Sequence, residues 1–290
     1  MYRRVKRISA RSLVPVLALG AVLFFMASFA EASHSWGGYH WARTANPFTL
    51  KLGDNVGSAW DSYLALASAD WSTSSVLHAT VVAGNGTRNC QATSGTVQVC
   101  NRTYGNTGWL GVANIWVSGS HIVQATVKLN DTYFNTSTYN KPTWRRFVMC
   151  QEVGHTFGLD HQDEVFSNPN LGTCMDYTND PDGTLANPDQ LRNDHPNAHD
   201  YDELALVYAH LDSFNSFKAS AASNPSASPS AIGDVDQNDR KQWGRAVRMS
   251  RDGRESLYEN VQANGDTVFT FVVWADEGLQ QDRGEREDRR

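Results

Sequence analysis

The chain has little that suits nucleic acid and little that would hold it in a membrane. It carries 25 Lys and Arg against 31 Asp and Glu, a net charge of -6, and no basic patch with interleaved aromatics. That excludes nucleic acid as a partner. Long apolar runs are missing, with one exception. Leu13 to Phe29 is uncharged and mostly apolar, follows a start rich in Arg and Lys, and precedes the small-x-small Ala30-Glu31-Ala32. This is the composition of a secretory signal over residues 1–32, which makes the chain a secreted, extracellular protein. The alternative is a membrane anchor over 13–29, left uncleaved. Cysteine is scarce: Cys90, Cys100, Cys150 and Cys174 are the only four, and no Cys-x-x-Cys pair occurs. That argues against a closed Cys/His zinc site. In an exported chain the even count fits two disulfides, with three connectivities open.

What is present centres on Gln151-Glu152-Val153-Gly154-His155-Thr156-Phe157-Gly158-Leu159-Asp160-His161. Positions 151 and 155 are four apart, so on a helix their side chains share a face. Glu152 lies one position on, about 100° around the same helix. Gly158 is placed to stop that helix, because glycine takes the left-handed conformation cheaply. The chain can then turn and carry His161 back towards His155. Imidazole is a zinc ligand and a neighbouring carboxylate is a general base, so the spacing points to metal-assisted hydrolysis.

The stretch resembles the zinc helix of the metzincin metallopeptidases, His-Glu-x-x-His-x-x-Gly-x-x-His, with Gln151 where the first histidine would stand. Cys174-Met175-Asp176-Tyr177 resembles their Met-turn. Gly111–Val117 and Ile122–Asp131 resemble two strands of the matrixin-like members, and Asn197–Tyr208 their last helix. The resemblance covers residues 36 to 212 and implies an α/β (α+β) fold, a twisted mixed sheet with an active-site helix and a Met-turn. It implies zinc held by Gln151, His155 and His161, with Glu152 as the catalytic general base. Met175 would lie beneath the metal, and Tyr177 near the metal or the oxyanion. The resemblance also implies a Cys150–Cys174 disulfide, since these residues precede Gln151 and Met175, which leaves Cys90 to pair with Cys100. A peptide or protein substrate would lie extended along an edge strand, 110–117. Gln162 departs from the residue that marks each named subfamily, so none is assigned. Gln151 is neutral like histidine, and its cost falls on metal affinity. Even outer partners of a metal site are worth ~10–100-fold, and a direct ligand at least that.

Along the chain, 33–213 reads as the metzincin-like domain, 214–232 as a Ser/Ala/Pro linker, 233–276 as a small β module and 277–290 as a charged tail. Within the domain, Trp41–Leu52 and Val76–Val82 read as strands. Ser58–Trp71 reads as a helix capped by Ser58, with Trp60, Leu64, Ala67 and Trp71 on one face. Gly84–Gly108 reads as loop or hairpin. Pro142 opens the zinc helix. Pro196 opens a last helix with Tyr201, Leu204, Ala205, Tyr208 and Leu211 on one face. The β module reads as a meander over Trp243–Met249, Ser256–Val261 and Thr267–Trp274, with Asp252-Gly253 and Asn264-Gly265 as turns. It is too small for a core of its own, so it must pack on the main domain or on a partner. The stretch Gln162 to His195 holds Asp163, Glu164, Asp176, Asp180 and Asp182. It could hold calcium, but it does not match the Asp-x-Asp-x-Asp-Gly pattern and reads better as a solvated loop.

Two functions follow. One is a secreted zinc-dependent endopeptidase with an altered ligand set. The other is a catalytically inactive binding module that keeps the fold. The intact Glu152 favours the first, because a buried carboxylate without a task is costly.

Overall fold

The computed structural model describes residues 34–184, 190–217, 239–249 and 253–275. The signal segment 1–32, the linker from 218 onward and the tail 277–290 lie outside the described residues. The described residues belong to one compact unit. Among the described residues no helix is long and apolar enough to cross a membrane.

The sheet is mixed, as an α/β (α+β) class requires. Its strands are β1 (His40–Trp41), β2 (Phe48–Asn55), β3 (Leu77–Ala83), β4 (Thr96–Arg102), β5 (Trp109–Ser118), β6 (His121–Asn130), β7 (Arg245–Met249), β8 (Glu255–Val261) and β9 (Thr267–Trp274). They lie in the order β3-β2-β4-β6-β5-β9-β8-β7, with β1 pairing beside β6. The half built from β3, β2, β4 and β6 is parallel, and every pair from β6 to β7 is antiparallel. Phe48, Leu50 and Leu52 are buried while Thr49 and Lys51 are exposed, the period of two that one covered face produces. The helices are α1 (Asp61–Trp71), α2 (Asp131–Phe134), α3 (Pro142–His155) and α4 (Ala198–Val207).

Several boundaries differ from the sequence reading. The strand expected over 41–52 is two elements, β1 and β2. β4 lies inside the stretch read as loop or hairpin, and it is an interior strand paired in parallel with β2 and β6. Its Val97, Val99 and Cys100 are buried, a signal that the surrounding Gly, Asn and Thr hid. α1 starts after Trp60, with no side-chain cap, so Ser58 does not cap it. α4 starts after Asn197, which forms a capping box with Asp200. Its buried apolar face is Leu204, Val207 and Tyr208, whereas Ala205 and Leu211 are exposed.

The largest correction concerns 110–117. This strand is not an edge. β9 hydrogen-bonds along β5 in antiparallel register, Ala113 opposite Phe271 and Val117 opposite Thr267. The physical reason is visible in the run itself: Trp109 to Val117 is buried throughout, which suits a strand covered on both faces and paired on both sides. The C-terminal strands, set apart at 233–276 by sequence, therefore continue the main sheet.

Two cores result. On the helix side, Leu110, Ala113 and Ile115 of β5 and Phe269, Phe271 and Val273 of β9 pack in one cluster with α1 and α3. On the other side, Trp109, Val112, Trp116, Val268, Val272 and Trp274 meet Tyr177, Trp243 and Tyr258. Pro142 stands at the start of α3, where its missing N–H costs nothing. Nearly every later residue of α3 is buried, so this helix lies at the centre of the molecule.

Both disulfides form as the resemblance implies, Cys90–Cys100 and Cys150–Cys174. The second ties α3 to the loop that carries Met175, across a separation of 24 residues. Replacing Cys150 and Cys174 together by Ala should lower stability by about 3 kcal/mol, on the chain-entropy estimate for such a loop. Urea unfolding of the oxidised parent and the double variant measures it, and equal midpoints would contradict it.

Candidate metal centre

The last turns of α3 carry Gln151, Glu152 and His155, all fully buried. The helix ends there, with Thr156 as its C-cap. Gly158 follows with φ +101°, a conformation that side chains rarely adopt, and a Cβ at this position would collide with the Tyr39 carbonyl oxygen. The turn is clamped from outside. Trp41 Nε1 donates to the Thr156 carbonyl at 2.8 Å, the Tyr208 hydroxyl to the Phe157 carbonyl at 2.9 Å, and Asp160 N to the His34 carbonyl at 2.5 Å. The chain then returns His161 to α3.

The two imidazoles meet. His155 Nε2 and His161 Nε2 are 3.1 Å apart, with the rings nearly perpendicular. Each Nδ1 has an oxygen acceptor: the Leu159 carbonyl at 2.9 Å for His155, and Glu164 Oε1 at 3.1 Å for His161. With Nδ1 as the donor in each ring, both Nε2 lone pairs face a common point. That arrangement suits a cation, and the Glu164–His161 contact is the outer carboxylate that metal-binding histidines usually carry. Burial, and then the proximity of His161, push the His155 pKa well down, which keeps it neutral and able to ligate.

Glu152 has no hydrogen bond of good geometry at either carboxylate oxygen. Burial pushes its pKa well up, and the nearby backbone N–H groups of Val273 and Ala113 only partly oppose this. Glu152 therefore lies against the β5–β9 pair. Both amide atoms of Gln151 are likewise buried without a partner. Buried polar atoms rarely stay unpartnered, so two adjacent ones on α3 call for an explanation.

Met175 and Tyr177 flank this group. Met175 is fully buried beneath α3, so close that a Cβ on Gly154 would stand 2.6 Å from its sulfur. Tyr177 packs edge-on against His161, at 5.0 Å between centroids. Its hydroxyl donates to the Val272 carbonyl at 2.7 Å and accepts from Trp274 N at 2.9 Å, so it is engaged by β9.

Sequence reasoning missed three contributors. Phe271 of β9 stacks on His155 at 4.0 Å, almost parallel. Arg248 of β7 pairs with Asp160 at 2.6 Å and lies 4.0 Å from Glu164. Ser256 of β8 donates to Glu164 at 2.6 Å. All three lie far along the chain from the motif, beyond the reach of any local pattern. Glu164, read by sequence as part of a solvated loop that could hold calcium, contacts His161. Burial raises its pKa, but the His161 and Ser256 hydrogen bonds and the Arg248 charge outweigh that and hold it low. Asp180 and Asp182 accept hydrogen bonds from Thr184 in a local turn. A surface pocket of about 450 Å³ is lined by His161, Glu164, Arg248 and Met249. A larger pocket, against Phe48 and Phe217, lies away from them.

Asp176, in the Met-turn, accepts from Leu171 N at 2.8 Å and Asn193 Nδ2 at 2.7 Å through one oxygen. Its other oxygen is buried without a partner. Burial raises its pKa to about 7, against the opposing effect of those two donors. Between the ordinary carboxyl pKa of ~3.9 and that value the folded protein holds a proton that the unfolded chain releases, so this group's contribution falls as pH rises. Asp176→Asn should therefore gain thermal stability over the parent progressively from pH 4 to pH 7, measured as paired melting curves. A pH-independent difference would refute it. Gly154→Ala should destabilise by roughly 1–3 kcal/mol through the clash with Met175 and Trp71, whose ring a Cβ would also approach to 2.6 Å. An unchanged denaturant midpoint would show that the helix and the Met175 loop are not in contact.

No family model and no curated protein matches this chain.

Proposed function

We propose that the chain is a secreted zinc-dependent endopeptidase whose hydrolytic site is closed by its own C-terminal strand. The observation that supports it best is the 3.1 Å approach of the two Nε2 atoms beside the unpartnered Gln151 and Glu152. His155 and His161 would hold zinc, with the Gln151 amide oxygen as a weaker third ligand. Zinc bound there would supply Lewis acidity and an acidified water. Glu152, raised in pKa by burial, is the group placed to take and return a proton at neutral pH. Glu164 and the Leu159 carbonyl orient the imidazoles.

β9 lies where an extended peptide would have to lie. It runs antiparallel along β5, sets Phe271 on His155, and occupies both hydrogen-bonding functions of the Tyr177 hydroxyl. In this state no peptide bond can reach Glu152. Cleavage thus requires β9 to move from the site. The second reading, a non-catalytic binding module, draws support from the same cover and from Gln151.

Two measurements separate the readings. Gln151→His should tighten zinc by at least ~10-fold in competition with a chromogenic chelator, since affinity follows ligand quality steeply. Equal affinity in parent and variant would mean that position 151 does not face a metal. Cleavage of a denatured protein substrate by the zinc-loaded parent should be slow, and Phe271→Leu should raise it. Adding Glu152→Gln to that variant should lower it again by at least ~10². Zinc bound tightly in every protein with cleavage in none would establish the binding module instead.

A further inference from the structure

A second group of histidines lies away from α3. β1 pairs with the start of β6 in parallel, and the register sets His40 opposite His121. Neighbours across a strand pair have Cβ atoms about 5 Å apart, so this register alone brings two imidazoles together. Their ring centroids are 5.0 Å apart. The chain leaving α4 adds His210, whose ring is 4.6 Å from that of His40, and Asp212. Asp212 Oδ1 is 3.1 Å from His121 Nε2 and 3.7 Å from His210 Nε2, and Oδ2 is 3.5 Å from His40 Nε2. The ligand atoms of His40, His121 and Asp212 all lie within 4.8 Å of one another.

Three details distinguish this from a chance surface cluster. His40 is almost fully buried, and its Nε2 has no hydrogen-bond partner. Its Nδ1 is 2.8 Å from the Gly38 carbonyl, so the proton sits on Nδ1 and the Nε2 lone pair is turned into the group. A buried acceptor left so is costly unless something fills it. Finally, Asp212 is held rigidly. Its backbone N donates to the Arg43 carbonyl, and its Oδ2 accepts from the Arg43 backbone N at 3.0 Å and guanidinium at 3.1 Å. Arg43 is itself anchored on the carbonyls of Tyr208 and His210. That leaves Oδ1 facing the imidazoles.

We propose that His40, His121 and Asp212, with His210 as the fourth ligand, form a structural site for a zinc-class divalent cation. Imidazole nitrogens and one carboxylate oxygen are the donors that borderline cations of this kind prefer, and four protein ligands close a structural site. Bound there, the ion would staple β1 and the start of β6 to the segment after α4. Those elements also clamp the turn between Thr156 and Asp160, so the staple would support the centre on α3 without taking part in its chemistry.

Zinc stoichiometry of the full secreted chain, by equilibrium dialysis and elemental analysis, tests this independently of activity. The parent should bind two zinc ions per chain. His121→Gln and His210→Ala, both at partly exposed side chains, should each weaken one of them by at least ~10-fold and lower the zinc-dependent gain in melting temperature. A His155→Ala, His161→Ala variant should still bind one. Cobalt added in place of zinc to that variant should give the intense visible bands of a four-coordinate site, lost with His121→Gln. Two zinc ions unaffected by His121→Gln and His210→Ala would overturn the inference, as would one ion lost only on changing His155 and His161. One ion lost only with His121→Gln would uphold the inference and remove the metal from the centre on α3.

Discussion

β9 hydrogen-bonds to β5 from Trp109 to Val117, and the closed state of the centre depends on that ladder. It supplies the wall against which Glu152 is buried, and it delivers Phe271 to the face of His155. It also joins the two cores, because alternate residues of β9 enter opposite clusters. A strand that contributes Phe271, Val273 and Trp274 to fully covered positions is held by apolar burial worth about 1.5–3 kcal/mol for each large side chain. Movement of β9 from the centre is therefore a costly opening of part of the sheet rather than the fraying of a loop.

Against that gain stand the polar groups that α3 keeps out of water. Gln151 and Glu152 are buried with their side-chain atoms unpartnered, and each such group costs on the order of 1–3 kcal/mol or more for a charge. A helix selected only for packing would carry apolar residues at these positions. Their presence beside two converging imidazoles is the physical argument behind the proposed role of the centre. The same argument bears less on Tyr177, whose hydroxyl is fully used by the backbone of β9.

Much of this was legible in the sequence, for reasons that differ by element. The i, i+4 spacing and Gly158 are local signals, and they correctly anticipate a helix that ends so that His161 returns to His155. Pro142 and the Trp60, Leu64, Ala67, Trp71 stripe are equally local. β4 was hidden because its short buried run is embedded in Gly, Asn and Thr. The position of β5 was misread because a family likeness made it an edge, while its own unbroken burial pattern suits an interior strand. Phe271, Arg248 and Ser256 could not be assigned to the centre at all. Their contacts with His155, Asp160 and Glu164 arise from a sheet order in which β9 neighbours β5, and sequence separation erases such information. The His40–His121 pair was hidden in the same way, since it depends on a two-residue strand and its register.

The two histidine groups share one construction. In each, a buried ring has its Nδ1 held by a backbone carbonyl, Leu159 for His155 and Gly38 for His40, so the tautomer is set by the main chain. In each, one carboxylate contacts a neighbouring ring: Glu164 at His161, Asp212 at His121. An arginine stands behind each carboxylate, Arg248 and Arg43. They differ in what covers them. The group on α3 is sealed by Phe271 and adjoins a polar pocket only at His161. The group at His40 lies where β1, the start of β6 and the segment after α4 meet, with the His210 side chain more than half exposed. The hydrolytic role we propose rests on the sealed centre and its unpartnered Glu152 carboxylate. The structural role we propose for the other rests on its clamped Asp212 carboxylate and on a ligand set drawn from separate chain segments. Burial and partner count, more than residue type, are therefore what separate the hydrolytic role we propose for the first from the structural role we propose for the second.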